Sequence, residues 1–84
     1  MKRTKWQRES RSVAEIVRAR EESLYEIERR AGLGRGTLKW TLRKADRHYG
    51  RENALALARY LGVPFIAASY LHLPVKQAMR LDMG

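Results

Sequence analysis

Apolar side chains recur every three or four residues along nearly the whole chain, and no run of four or more residues alternates between apolar and polar positions. The first pattern is typical of amphipathic α-helices. A half-buried strand would need alternating apolar and polar positions, and the chain has none over four or more residues. The sequence therefore predicts an all-α protein, a compact bundle of about five short helices with room for an extra helix at the C-terminal end.

Two capping boxes mark the starts of the first two predicted helices. In each pair, Ser12 with Glu15 and Ser23 with Glu26, the side chain at either end can bond a backbone amide at the other. Gly32 then stands where a residue in the left-handed conformation ends a helix. We expect helices over about 12–21 and about 24–31.

Further apolar repeats and two prolines predict the rest of the bundle. A third helix over about 35–45 follows the linker 32–34, and the polar residues 46–51 form a loop. A tight apolar stripe predicts a fourth helix that ends at Gly62, and Pro64 and Pro74 suit the first turns of two short helices. The chain thus divides into a basic arm (1–11), a main domain (12–73) and a C-terminal helix or tail (74–84).

Composition allows one small domain without covalent cross-links. The chain has 84 residues and no cysteine, which excludes disulfides and thiolate zinc sites. Its most apolar stretch, residues 63–75, is interrupted by prolines and shorter than the roughly 20 residues that cross a bilayer. No apolar segment of a signal peptide follows the basic residues near the N-terminus. We expect a cytoplasmic protein that does not contact membranes.

The charge is concentrated in two blocks. The net charge is +9, from 18 Lys and Arg against 9 Asp and Glu. Residues 29–51 hold eight basic side chains and one acidic, and residues 1–11 hold five and one, whereas residues 12–28 are net acidic. Clustered cations are typical of surfaces that bind polyanions, because they displace the counterions condensed on phosphates. The alternative is a solvated surface that keeps the protein soluble.

Angular positions on the third predicted helix separate an apolar face from a cationic one. At 100° per residue, Leu42 lies close to Leu38, whereas Lys39, Trp40 and Arg43 lie about 100–200° away. Two short helices joined by a glycine-containing turn form the helix-turn-helix plan, in which the second helix enters the DNA major groove. The alternative for Trp40 is a ring packed on a neighbouring helix or on a dimer partner. The alternative for Lys39 and Arg43 is that they are ordinary cations exposed to solvent.

Residues 23–38, SLYEIERRAGLGRGTL, resemble the helix-turn-helix of Cro/repressor-type (lambda-repressor-like) proteins and most closely that of Ner-type regulators of transposable phages. The similarity continues through the fourth predicted helix, so that it covers roughly residues 12–65. The resemblance implies a five-helix DNA-binding domain that usually represses transcription at a small operator, often as a dimer.

Two departures from that family carry expectations of their own. Glu28 occupies a position where the family has a small residue, so we expect its side chain to reach toward solvent or to pair with Arg18 or Arg43. Gly36 replaces a serine near the start of the third helix and would leave the backbone open to a phosphate or a base edge.

Roles on DNA follow from these positions. The candidates for base contacts are Arg35, Gly36, Lys39, Trp40 and Arg43, and those for phosphate contacts are Ser23, Thr37, Lys44, Arg47 and Arg51. Arg29 and Arg30 fit either a phosphate contact or the C-terminal dipole of the second helix. The N-terminal arm offers Lys2, Arg3, Lys5 and Arg8 for the backbone or a minor groove, with a solvated tail as the alternative.

The C-terminal third is apolar and almost uncharged. Because so small a domain cannot bury all of it, we expect a homodimer through this end, although Phe65 and Ile66 could instead complete the monomer's own core. The interface candidates are Phe65, Tyr70, Leu71, Leu73, Val75 and Met79.

Catalysis, metal binding and cofactors find no support in the sequence. His48 and His72 lie far apart without cysteine or carboxylate at ligand spacing, and the glycines at 32–36 lack the pattern of a phosphate loop. We therefore expect no enzyme, no cofactor and no small-molecule substrate. We expect a nucleoid-associated transcriptional regulator that binds double-stranded DNA and acts as a repressor. Two alternatives stay open: a non-specific nucleic-acid-binding protein, and an interaction module such as an anti-repressor or recombination accessory protein.

Overall fold

A computed structural model describes residues 5–43 and 49–83 of the chain, and these residues form six α-helices and no strand. The helices are α1 (Val13–Arg18), α2 (Leu24–Ala31), α3 (Thr37–Arg43), α4 (Arg51–Leu61), α5 (Phe65–Ser69) and α6 (Val75–Met83). A short 3-10 helix, Lys5–Arg8, precedes them. The prediction of a small all-α bundle is confirmed, including the extra C-terminal helix.

The first helix begins as predicted and ends sooner. Ser12 Oγ accepts a hydrogen bond from the Glu15 amide at 3.1 Å, and the Ser12 amide donates to the Glu15 carboxylate at 3.3 Å, so the capping box is complete. α1 stops at Arg18 instead of about residue 21, because the chain must become extended before the cap of the next helix at Ser23.

α2 has the predicted bounds but only half of its capping box. Ser23 Oγ accepts from the Glu26 amide at 3.1 Å, whereas the Glu26 carboxylate lies 3.3 Å from Arg30 one turn later. Gly32 ends the helix with a φ of 80°, a left-handed conformation that glycine adopts without a steric penalty.

The region after the turn is partly described. α3 begins at Thr37, about two residues later than predicted, and the predicted end of that helix and the first half of the predicted loop lie within residues 44–48, outside the described residues. α4 begins at Arg51, which the sequence placed in the loop.

A single apolar core joins the helices. α4 packs against both α2 and α5, α2 contacts α3, and α5 contacts α6. The largest fully buried side chains of this core come from α1 to α4, from the segment after α5 and from α6: Ile27, Leu38, Leu57, Leu71, Val13, Val17 and Val75. Among the described residues, no helix is both long and apolar enough to cross a membrane.

The two ends of the described chain bind each other through the backbone. The amides of Val75 and Lys76 donate to the carbonyls of Arg11 and Glu9, each at 2.9 Å, and the Ala14 amide donates to the carbonyl of Leu71 at 2.9 Å. The first amides of α6 thereby gain acceptors that the helix itself cannot supply. Trp6 packs against the core beside them.

This contact changes the picture of the N-terminal arm. Residues 5–11 lie against α6 instead of extending from the domain, because α6 needs acceptors and the Trp6 ring gains burial. Lys5 and Arg8 are exposed on the 3-10 helix, whereas Lys2 and Arg3 lie outside the described residues.

The structure corrects part of the expected dimer interface. Leu71 and Val75 are fully buried in the core of this chain, so their side chains offer nothing to a second copy. Leu73 and Met79 are half-buried against the same core. Only Phe65 and Tyr70 among the six candidates are well exposed, at 41% and 38%. Small residues of α5 complete the core in place of Phe65, because they allow close approach to α4 and α6.

Candidate nucleic-acid interface

α3 has one buried face and one exposed cationic face, as its angular pattern predicts. Leu38 and Leu42 point into the core, whereas Lys39 and Arg43 are exposed. Trp40 is 57% exposed. The part of α3 that faces solvent therefore carries two cations and a large aromatic surface.

The start of α3 is held by a carboxylate from α2. Glu28 is only 4% exposed, and its two carboxylate oxygens accept hydrogen bonds from the amides of Gly36, at 3.1 Å, and Leu38, at 2.8 Å. An acceptor at these amides satisfies donors that a helix leaves without partners, and its negative charge suits the positive end of the helix dipole. Glu28 thus acts as a cap supplied by the preceding helix.

This arrangement overturns two expectations. Glu28 neither reaches toward solvent nor pairs with Arg18 or Arg43, because the backbone amides of Gly36 and Leu38 donate hydrogen bonds to its two carboxylate oxygens. The Gly36 amide is not open to a phosphate or a base edge, since the Glu28 carboxylate already occupies it. Gly36 instead supplies a left-handed turn, with a φ of 81°.

The hydroxyl of Thr37 is also engaged within the protein. Thr37 Oγ1 donates to the carbonyl of Gly34 at 2.8 Å and lies 2.8 Å from the hydroxyl of Tyr49. A threonine hydroxyl has one proton, so Tyr49 donates the second hydrogen bond. Ser23 Oγ accepts a hydrogen bond from the Glu26 amide and thereby caps α2. Both hydroxyls bond within the protein, and the phosphate contacts at Thr37 and near Ser23 stay predictions.

Tyr49 is a residue of the site that its sequence position did not reveal. Its ring is buried, its amide donates to the Ser69 carbonyl at 2.7 Å, and burial raises the pKa of its hydroxyl. It connects the start of α3 to the end of α5. His72 makes a second connection, since its Nε2 lies 3.2 Å from the carbonyl of Thr41.

Carboxylates and their ion-pair and hydrogen-bond partners lie around the first turn of α2. Arg30 is paired with Glu22, at 3.1 Å, and with Glu26. Glu22 also binds Arg20 and accepts a hydrogen bond from the Tyr60 hydroxyl, and the Tyr60 and Arg20 bonds lower its pKa. The first turn of α2 is therefore lined with carboxylates and their partners, which is a poor setting for a phosphate at Ser23.

Arg35 lies against an aromatic side chain of α2. Its guanidinium lies 5.9 Å from the centroid of the Tyr25 ring, a distance at which a cation is attracted to an aromatic face. Of the remaining candidates, Arg51 is exposed in the first turn of α4, and Lys44 and Arg47 lie outside the described residues.

The described residues contain no group of three or more His, Cys, Asp or Glu side chains that could hold a metal ion. Comparisons of the chain with protein-family models, with curated proteins and with solved structures find no match. The site must therefore be interpreted from its own geometry and charge.

Proposed function

We propose that the chain is a sequence-specific regulator that binds double-stranded DNA, with the exposed face of α3 in the major groove, and that it acts as a repressor. The observation that carries the proposal is the combination of Lys39, Trp40 and Arg43 on one exposed face of a helix whose start is fixed by Glu28. A fixed helix is needed because base readout depends on placing donors at defined edges.

The charge distribution supports the same proposal. Residues 29–51, with eight basic side chains and one acidic, include the turn, α3 and the start of α4. Cations on both sides of a recognition helix would neutralise phosphates and hold the helix in its groove, while the side chains at its centre read bases.

We also propose that two copies bind together. Phe65 and Tyr70 place two partly exposed aromatic side chains at the α5 end, five positions apart in the chain. Aromatic side chains are enriched at interfaces between subunits. Sedimentation of the parent at high micromolar concentration as a monomer would contradict the dimer without touching the proposal for α3.

Selection of bound sequences from a random pool of duplexes tests the function directly. We expect enrichment of a palindrome whose half-sites are about one helical turn apart. Binding that shows no enrichment and weakens equally on all sequences as salt rises would instead identify a non-specific nucleic-acid-binding protein.

The double variant Lys39→Ala with Arg43→Ala then tests which residues read the sequence. It should lose most of the preference for the selected duplex over random DNA, since a good base contact is worth about 1–3 kcal/mol. Arg80→Ala, which removes one exposed cation of α6, serves as the control and should keep the preference. Unchanged binding by a folded double variant would favour the interaction module.

A further inference from the structure

A cleft of about 200 Å³ lies where α2 meets the turn that leads into α3. An aromatic ring, an aliphatic side chain and two guanidinium groups line it, together with the capping carboxylate of Glu28; these are Tyr25, Leu33, Arg29 and Arg35. The cleft is therefore both apolar and cationic, and it opens beside the candidate interface.

The two guanidinium groups of the cleft have no carboxylate partner among the described residues. Arg30, which follows Arg29 on α2, is held by two glutamates. The Glu28 carboxylate does line the cleft, but both of its oxygens are occupied by backbone amides of the turn and α3. The positive charge of Arg29 and Arg35 is therefore available to an anion from outside.

Tyr25 orients one of these groups. Its side chain is 57% exposed, and the Arg35 guanidinium lies against its ring. A guanidinium packed on an aromatic face keeps its donors for a ligand while losing part of its conformational freedom. Arg35 is therefore held against a side chain of α2.

The chemistry of the cleft matches one unit of a DNA backbone. A deoxyribose has an apolar face that can pack on a ring and an aliphatic side chain, and the adjoining phosphate accepts paired hydrogen bonds from arginine. We infer that the cleft binds one deoxyribose-phosphate unit, with Arg29 and Arg35 on the phosphate and with Tyr25 and Leu33 on the sugar. This inference depends on the proposed function for its ligand, duplex DNA, and it gives Arg35 a backbone contact in place of the predicted base contact.

Affinity measured on two duplexes over a series of salt concentrations tests the assignment. Arg29→Ala and Arg35→Ala should each weaken binding by about tenfold, by the same factor for the selected duplex and for an unrelated one. The double variant Arg29→Ala with Arg35→Ala should also reduce the slope of log affinity against log salt by about 0.9, the effect of one phosphate contact, because both guanidinium groups bind the same phosphate. Arg80→Ala is the matched control and should change neither duplex comparably.

Two substitutions at Tyr25 test its positioning role. Tyr25→Phe keeps the ring and should bind both duplexes as the parent does, whereas Tyr25→Ala should weaken both severalfold. The replaced side chains are exposed, so circular dichroism and urea unfolding should show unchanged folding.

Each other outcome has a definite meaning. If Arg35→Ala lowers the preference for the selected duplex, Arg35 reads a base and the assignment is wrong. If Arg29→Ala and Arg35→Ala both bind as Arg80→Ala does, the cleft does not contact the backbone. A parent that binds every duplex equally refutes sequence specificity, yet uniform losses in the variants would still support the cleft. A parent without affinity for duplex DNA refutes both.

Discussion

The start of α3 and the junction of the two chain ends are stabilised by different kinds of contact. At the start of α3, side chains bond the backbone: Glu28 binds two amides, and Thr37 joins a carbonyl to Tyr49. At the junction of residues 9–14 with 71–76, backbone amides donate to backbone carbonyls, and the side chains of Leu71 and Val75 are fully buried.

The difference follows from what each region leaves exposed. The start of α3 buries Leu38 on one side, but its other side carries exposed cations and a tryptophan, so polar bonds from Glu28 and Thr37 supplement the apolar contact there. The junction of the ends has no such demand and can rely on apolar burial, which is spread over many atoms. We therefore expect large losses of stability from the junction, and smaller but more position-specific losses from the start of α3.

Leu71→Ala should have the largest effect on the comparison. The side chain is fully buried between α5 and α6, and its removal leaves a cavity, so we expect the free energy of unfolding to fall by about 2–5 kcal/mol. Urea unfolding followed by circular dichroism measures this loss. Leu81→Ala, at an exposed position of α6, should stay within about 0.5 kcal/mol of the parent. Equal losses in the two variants would show that the junction does not depend on burial.

Glu28→Ala tests the polar side of the comparison. It leaves the amides of Gly36 and Leu38 without their acceptor, which should cost about 1–3 kcal/mol in urea unfolding. Glu28→Gln retains one acceptor oxygen of similar reach and should cost less. Hydrogen exchange at the two amides should accelerate in the same order. A Glu28→Gln variant as stable as the parent, with unchanged exchange at both amides, would mean that the side chain fills space and does not act through its hydrogen bonds.

Tyr49→Phe should have an intermediate effect. It removes only the hydroxyl that bonds Thr37, and the expected loss is about 0.5–1.5 kcal/mol. Tyr25→Phe, at an exposed ring, provides the control and should leave the stability unchanged. A loss of the same size in both would contradict a role for the Thr37 bond.

The titration of Tyr49 sharpens this result. Because burial raises its pKa in the folded chain, the unfolded chain loses the proton first, and stability should decline as the pH rises above about 10. Tyr49→Phe lacks this group, so the difference in stability between parent and variant should shrink at alkaline pH. A difference that stays constant from neutral to alkaline pH would contradict the link.

Glu22→Gln should give the smallest effect. The hydrogen bond from Tyr60 and the bond to Arg20 lower the pKa of Glu22 in the folded chain. The stability that this adds is present above the ordinary glutamate pKa and is lost as the pH falls through the lowered value. The small difference from the parent should therefore disappear in acid. Glu21→Gln removes the same charge at the neighbouring exposed position and, as the control at neutral pH, should stay within about 0.5 kcal/mol of the parent.

Local signals predicted most of the helices correctly. The serine caps at residues 12 and 23, the glycines at 32 and 62 and the prolines at 64 and 74 act within one turn of themselves, so their effect does not depend on the rest of the fold. The same holds for the two faces of α3, because burial of Leu38 and Leu42 leaves Lys39 and Arg43 on the opposite side.

Contacts between distant residues were predicted less well. Glu28 and Leu38 are ten positions apart, Thr37 and Tyr49 twelve, and Lys76 reaches back to Glu9, so no local pattern pairs them. A glutamate in place of a small residue was the one visible signal of the first contact, and it did not indicate which group the carboxylate would meet.

The sequence by itself determined an all-α chain, the starts and ends of most helices and the side of α3 that carries cations, because these depend on side-chain spacing and capping within single segments. Only the tertiary structure decided that Glu28 caps α3, that Leu71 and Val75 belong to the core, and that Arg35 turns toward Tyr25. Those outcomes depend on which donors and surfaces come within reach after the helices pack, and distances of that kind are a property of the whole fold.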